Sequence, residues 1–215
     1  MNDSDPQRVV REELEWEPSV DDAHIGVNAR DGIVTLSGTV NTYAEKLAAE
    51  RVAARVDGVK AIAQELEVRD AFMRPEGDDD VARRCTEALS WTVTLPKDRV
   101  KVRVEHGWVT LSGELEWNYQ REEAFEVTRK LRGVKGVINN MTLKQRPTPS
   151  DFRERIKAAL VRNAQIEANG IAIHTDGSKV TLTETVPRWS ERYAAEYAAW
   201  AAPDVMDVDD RLTVI

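Results

Sequence analysis

The chain has one cysteine, Cys85, in 215 residues, so no internal disulfide can hold it together. Its three histidines, His24, His106 and His174, stand far apart, and no His-x-x-His or paired-cysteine spacing marks a metal site. No glycine-rich loop followed by Lys-Ser/Thr is present to cradle a phosphate. No apolar run nears the about 20 residues a spanning helix needs, and Met1 to Pro18 is polar and acidic where a signal peptide would be basic and then apolar. The expected location is therefore cytoplasmic. Positive charge is also short: the net charge is −8, which argues against bulk polyanion binding as the main activity. Catalytic groups do not assemble into any recognisable constellation, and the expectation is a protein without enzymatic activity, a catalytic cofactor or a structural metal.

What is present is repetition. Gly32-Ile33-Val34-Thr35-Leu36-Ser37-Gly38 returns as Gly107-Trp108-Val109-Thr110-Leu111-Ser112-Gly113, and again, altered, as Ser178-Lys179-Val180-Thr181-Leu182-Thr183-Glu184. The offsets are 75 and then 71 residues, too long for a solenoid of small units, so the chain reads as repeated domains. The boundaries expected are 1–70, 77–145 and 150–215. Met73 to Asp80 and Arg146-Pro147-Thr148-Pro149 would link them. Units of this size bury little surface and are marginal alone, so they should pack on one another.

Within the first unit, Pro6, Val10 and Leu14 fall at helical spacing. A strand with Ile25 and Val27 inward follows. Asp31-Gly32 suits a two-residue hairpin turn, and Val34 and Leu36 face inward on the return. Ala48, Ala49, Val52, Ala53 and Val56 recur at threes and fours, which predicts an amphipathic second helix. Gly58 suits a left-handed cap. Leu66 and Val68 line a last strand. The order is helix–strand–strand–helix–strand, and it repeats without a gap in unit two. In unit three, Ser150-Asp151 would cap a helix with Phe152, Ile156 and Leu160. Asp176-Gly177 would supply the turn one residue early, and Glu184 and Asp204 stand where the other copies have glycine.

A glycine-flanked Val-Thr-Leu-Ser strand, a helix rich in small residues and a Gly-Val before a last strand resemble the BON domain. That family is named for bacterial osmotically inducible and nodulation proteins. The resemblance rests on Gly32, Val34, Leu36, Gly38, Val40, Ala49, Gly58, Val59 and Leu66. In the second copy it rests on Gly107, Val109, Leu111, Gly113, Ala124, Gly133 and Val134. It implies an α+β fold of three tandem αββαβ units, each a three-stranded mixed sheet with two helices on one face. It also implies a non-enzymatic stress-response protein that attaches to phospholipid, with potassium as a ligand of one relative.

The net charge differs between the units: −7 over 1–70, +1 over 71–145 and −2 over 146–215. Strand alternation puts Lys101, Arg103, Trp108, Thr110, Thr142 and Lys144 on the open sheet face of unit two, with Lys97 and Arg99 in phase before them. The same places in unit one hold Asn28, Arg30, Ile33, Thr35, Glu65 and Glu67. Lys101, Arg103, Trp108 and Lys144 are the candidate ligand-binding residues. They could meet anionic lipid head groups with the indole at the interface. They could stack a base, although nucleic acid is the less favoured partner, or form a solvated or covered face. The alternatives are a potassium sensor, suggested by the resemblance, and a protein–protein assembly module. Trp117, Trp189 and Trp200 lie at or in the second helices and are candidate interfaces between repeats, with a partner protein or in a homo-oligomer. Trp16 and Trp91 share a repeat position and should cover the helix–sheet edge. Asp204, Asp207, Asp209 and Asp210 lack the spacing of a calcium loop.

Overall fold

A computed structural model of the protein describes residues 4–69, 77–144, 158, 171–202 and 205–214. Unit one runs α1 (Ser4–Glu15), β1 (Ile25–Arg30), β2 (Ile33–Val40), α2 (Tyr43–Arg55) and β3 (Ala61–Val68). Unit two repeats it with α3 (Asp78–Trp91), β4 (Lys101–Glu105), β5 (Trp108–Leu115), α4 (Asn118–Arg129) and β6 (Gly136–Leu143). In unit three the described elements are β7 (Ala172–Asp176), β8 (Lys179–Thr183), β9 (Thr185–Val186), α5 (Trp189–Trp200), β10 (Asp207–Asp210) and β11 (Thr213–Val214). The expected first helix of that unit, with Phe152, Ile156 and Leu160, lies outside the described residues, as does Asp204.

Each three-stranded sheet is built the same way. The Val-Thr-Leu strand is central, antiparallel to the strand before it and parallel to the strand after the helix. The alternation in that strand decides what is buried. Val34, Val109 and Val180, and Leu36, Leu111 and Leu182, are all completely buried. Small residues on the second helix let it sit close on the sheet: Ala49, Ala124 and Ala195 share a slot and are fully buried. The first helices bury Val10 and Leu14, or Val81, Cys85 and Leu89, each one turn apart. Asp78, at the start of α3, ties that helix to the β4–β5 turn. Its carboxylate accepts from the His106 N–H at 2.8 Å and the Gly107 N–H at 2.9 Å. Those two bonds hold it below the usual carboxylate range.

The hairpins use two-residue loops. Asp31 and Gly32, and His106 and Gly107, have both φ values positive, as the loop twist requires. The sequence places the unit-three turn one residue early. In the structure Asp176 pairs with Lys179, so the loop is Gly177-Ser178, in register with the other two. Only its glycine has moved, to the first loop position at φ 56°, which suits a type II′ turn.

Gly38 and Gly113 hold the central strand where it bends past its neighbour. Their φ values are 114° and 139°, and a Cβ would sit 2.0 Å from the carbonyl oxygen of His24 or Arg99. Unit three keeps the same backbone without the glycine: Glu184 has φ 95°. There the strand is interrupted into β8 and β9, and its partner splits into β10 and β11. The loss of glycine is thus answered by a broken ladder around a strained residue.

The second helices turn toward one another. Tyr43, the first residue of α2, packs against the core of unit two. Trp189, the first residue of α5, packs against the core of unit one, and its indole N–H donates to the Lys60 carbonyl at 3.0 Å. Arg188 and Asp57 pair beside it at 2.6 Å. The Arg121 guanidinium of α4 stacks 4.4 Å above the Trp200 ring of α5. Unit one therefore reaches unit two, unit two reaches unit three, and unit three returns to unit one.

Gly113→Ala should cost more than about 1 kcal/mol in urea denaturation, because a Cβ meets backbone and the φ is unfavourable. Glu184→Gly should instead stabilise the chain by about 1 kcal/mol through relief of the strained φ. Trp189→Ala should cost about 2 kcal/mol, below the about 3–5 kcal/mol of a core tryptophan because the ring is partly exposed. Asp57→Asn should cost less than about 1 kcal/mol, since its ion pair with Arg188 is exposed.

Candidate functional site

The face of unit two away from its helices is open. Alternation along β4 exposes Lys101 and Arg103, and alternation along β5 brings Trp108, Thr110 and Ser112 to the same side. On β6 the face continues through Gly136, Ile138, Asn140 and Thr142 to Lys144 just past the strand. Trp108 is only half exposed because its ring lies flat over Gly136. A Cβ at that glycine would be 2.4 Å from the ring. The glycine is thus a platform for the indole at the hairpin end of the sheet.

The four expected ligand residues share this face but not one spot on it. Trp108 sits opposite Gly136, and Lys144 is eight residues further along, which is about 26 Å of extended strand. Arg103 is beside Glu105, with which it pairs at 2.6 Å, both exposed. Such a pair is worth little in energy but leaves no net charge at that spot. Lys101 and Lys144 belong to the opposite end, where the loop after α3 enters the sheet. Among the described residues, Lys97, Arg99, Lys101 and Lys144 form no ion pair. Arg99 and Lys144 line a shallow depression of about 110 Å³ with Pro96, Leu115 and two carboxylates, Glu114 and Glu116.

That same end carries the most exposed apolar groups of the unit. Trp91 is 84% exposed and Val93 98% exposed. Trp16 in unit one is also 84% exposed. This corrects the expectation that the two tryptophans cover the helix–sheet edge. The reason is helix geometry. The buried stripe of α3 is Val81, Cys85 and Leu89, and two further residues turn the side chain by about 200°, to the far side. Trp16 stands in the same relation to Leu14. The spacing from the last buried position held this signal in the sequence. The surroundings then separate the two. Trp16 is flanked by Glu15 and Glu17, whereas Trp91 leads into a loop bearing Lys97 and Arg99.

The candidate interface tryptophans all fall at junctions between units. Trp189 is the plug of unit three into unit one. Trp117 and Trp200 line one pocket between unit two and unit three. Trp117 is positioned by Gln120, whose side-chain oxygen accepts from the Glu116 and Trp117 backbone N–H groups at 3.1 and 3.2 Å. Burial pushes the Tyr43 hydroxyl above its ordinary pKa, against a hydrogen bond from the Val137 backbone of unit two. Burial likewise pushes Glu196 up, helped by Asp210 and Glu122 nearby.

The acidic run is occupied by cations: Asp207 and Asp209 meet Lys179 at 3.1 and 3.5 Å, Asp209 also meets Arg211 at 2.8 Å, and Asp210 meets Arg192 at 2.7 Å. Among the described residues no group of histidine, cysteine and carboxylate side chains is placed to hold a metal ion. No helix among them is long and apolar enough to cross a membrane. Cys85 is fully buried, and burial pushes its thiol up to about 11. A thiol reagent at pH 8 should therefore leave the folded protein unmodified and react on unfolding, as read by absorbance with and without urea. The raised folded-state value has a sign: this thiol's contribution to stability is complete below its unfolded pKa near about 8.5 and is lost as pH rises through about 11.

Comparison with known proteins adds three findings. The BON domain model matches residues 2–70, 77–145 and 150–215. Osmotically-inducible protein Y of Escherichia coli strain K12 is 30% identical over 148 residues, spanning 67% of this chain and 74% of that protein. Among solved structures, CdsD, a structural protein of the type III secretion system of Chlamydia trachomatis, aligns over 98% of this chain and 92% of its own at 14% identity. The TM-score is 0.26, so that likeness carries no argument.

Proposed function

The chain belongs to the BON domain family, and on that footing we propose that it is a non-enzymatic binding module of the osmotic-stress response that attaches to anionic phospholipid head groups through unit two. Its similarity to an osmotically inducible protein supports the stress setting. The observation that carries the membrane reading is the end of unit two where Trp91 and Val93 stand out of the surface beside cations without ion pairs among the described residues. An exposed indole and an aliphatic side chain can enter the interfacial layer, while Lys97, Arg99, Lys101 and Lys144 meet the phosphates. Among the described residues the other units do not show this combination. The open face of unit one carries Glu65 and Glu67, and that of unit three pairs Lys179 with two aspartates. Arg103 and Trp108 lie further along the sheet and would join only a flat approach of the whole face.

Sedimentation with vesicles of phosphatidylglycerol or phosphatidylcholine tests this. The protein should pellet with the anionic vesicles at low salt and be released at high salt, because screening removes the attraction. Lys97→Glu and Lys101→Glu should each weaken binding by about 1–2 kcal/mol, and Trp91→Ala should weaken it without changing the salt dependence. Pelleting that ignores salt, or absence of pelleting with anionic vesicles at low salt, would sink the proposal.

A further inference from the structure

Trp16 is as bare as Trp91, and attachment to anionic lipid gives it no use. The two rings hold one repeat position, at the end of the first helix and before the loop into the first strand. The charges around them are opposed. In unit one, Glu13, Glu15, Asp21 and Asp22 flank the ring and form no ion pair among the described residues. Glu17 differs, since Arg55 meets it at 3.5 Å. Arg11, five residues before the ring, projects about 140° away around the helix. In unit two, Ala88 and Ser90 replace Glu13 and Glu15, and Lys97 replaces Asp22. Asp98 is the one carboxylate of that loop, against Lys97, Arg99 and then Lys101 on the strand. One backbone thus carries the same exposed indole twice, once among carboxylates and once among cations. An indole among carboxylates is repelled by an anionic membrane. It suits a cationic surface, because the ring face and the carboxylates both attract cations. This chain carries such a surface itself, at the Trp91 end of unit two.

We propose that copies of this chain associate by docking the acidic Trp16 end of unit one on the basic Trp91 end of unit two in another copy. The two indoles form the apolar centre of the contact, and the carboxylates and cations form its rim. Both rings are bare within one chain, so the contact needs a second copy. The two patches differ, so the contact is heterologous: two copies exchange both ends, or a row of copies grows. The proposal does not rest on lipid attachment. A second copy covers the cations that would meet phosphates, so the two occupants of that end exclude each other.

Sedimentation velocity of the full chain, without lipid, tests this. The average mass should rise with protein concentration at low salt and fall toward that of one chain at high salt, as screening removes the attraction. Trp16→Ala should weaken association at least about ten-fold, as loss of a central tryptophan does. Two charge-reversed chains separate this contact from any other. One carries Asp21→Lys and Asp22→Lys, and the other carries Lys97→Asp and Arg99→Asp. Each alone sets like charges against each other and should stay monomeric. Mixed, they restore opposite charges at the contact and should associate, which also shows that both are folded. A single chain's mass at every concentration and salt, association that persists at high salt, unchanged association in Trp16→Ala, or no association on mixing would overturn the proposal.

Discussion

A unit of about 70 residues encloses so little interior that its stability depends on what it can bury against its neighbours. Here that burial is concentrated at the second helices. Tyr43 at the start of α2 packs on unit two, Arg121 of α4 stacks on Trp200 of unit three, and Trp189 at the start of α5 closes the series back onto unit one. The closing step joins parts of the chain 129 residues apart. It ties three marginal domains together through their second helices and leaves the sheet faces opposite those helices open. The open sheet faces and the ends of the first helices become the surface on which the units are free to differ.

They differ mainly in electrostatics. Unit three neutralises its own carboxylates through Lys179, Arg192 and Arg211. Unit one is the most acidic. Unit two keeps several cations without partners among the described residues at the end where Trp91 and Val93 are bare. A common backbone thus presents three dissimilar surfaces. Divergence of function needs no change of fold when the varying residues alternate with the buried ones along every strand.

Unit three shows what the repeat tolerates. At the central strand's bend it places glutamate where the others have glycine, and it keeps the positive φ while giving up the continuous ladder. In the hairpin it moves the glycine to the first loop position, and the loop stays in register. The inner valine and leucine of the central strand do not change, and they remain fully buried. The apolar pair therefore defines the unit more firmly than the glycines around it.

The sequence alone determined the repeat, the order of elements in units one and two, the inward residues of each strand and the family. All of these depend on short-range periodicity, which one strand or one helix carries by itself. It also held the outward direction of Trp16 and Trp91, two residues past the last buried position. Their shared slot pointed instead to a covering role. Tertiary structure decided the rest. Strand register put Trp108 and Lys144 at opposite ends of a face that alternation alone treats as a single patch. The packing of units sent Trp117, Trp189 and Trp200 to junctions between units. These depend on contacts between residues far apart in the chain, and no local pattern encodes which unit a side chain will meet.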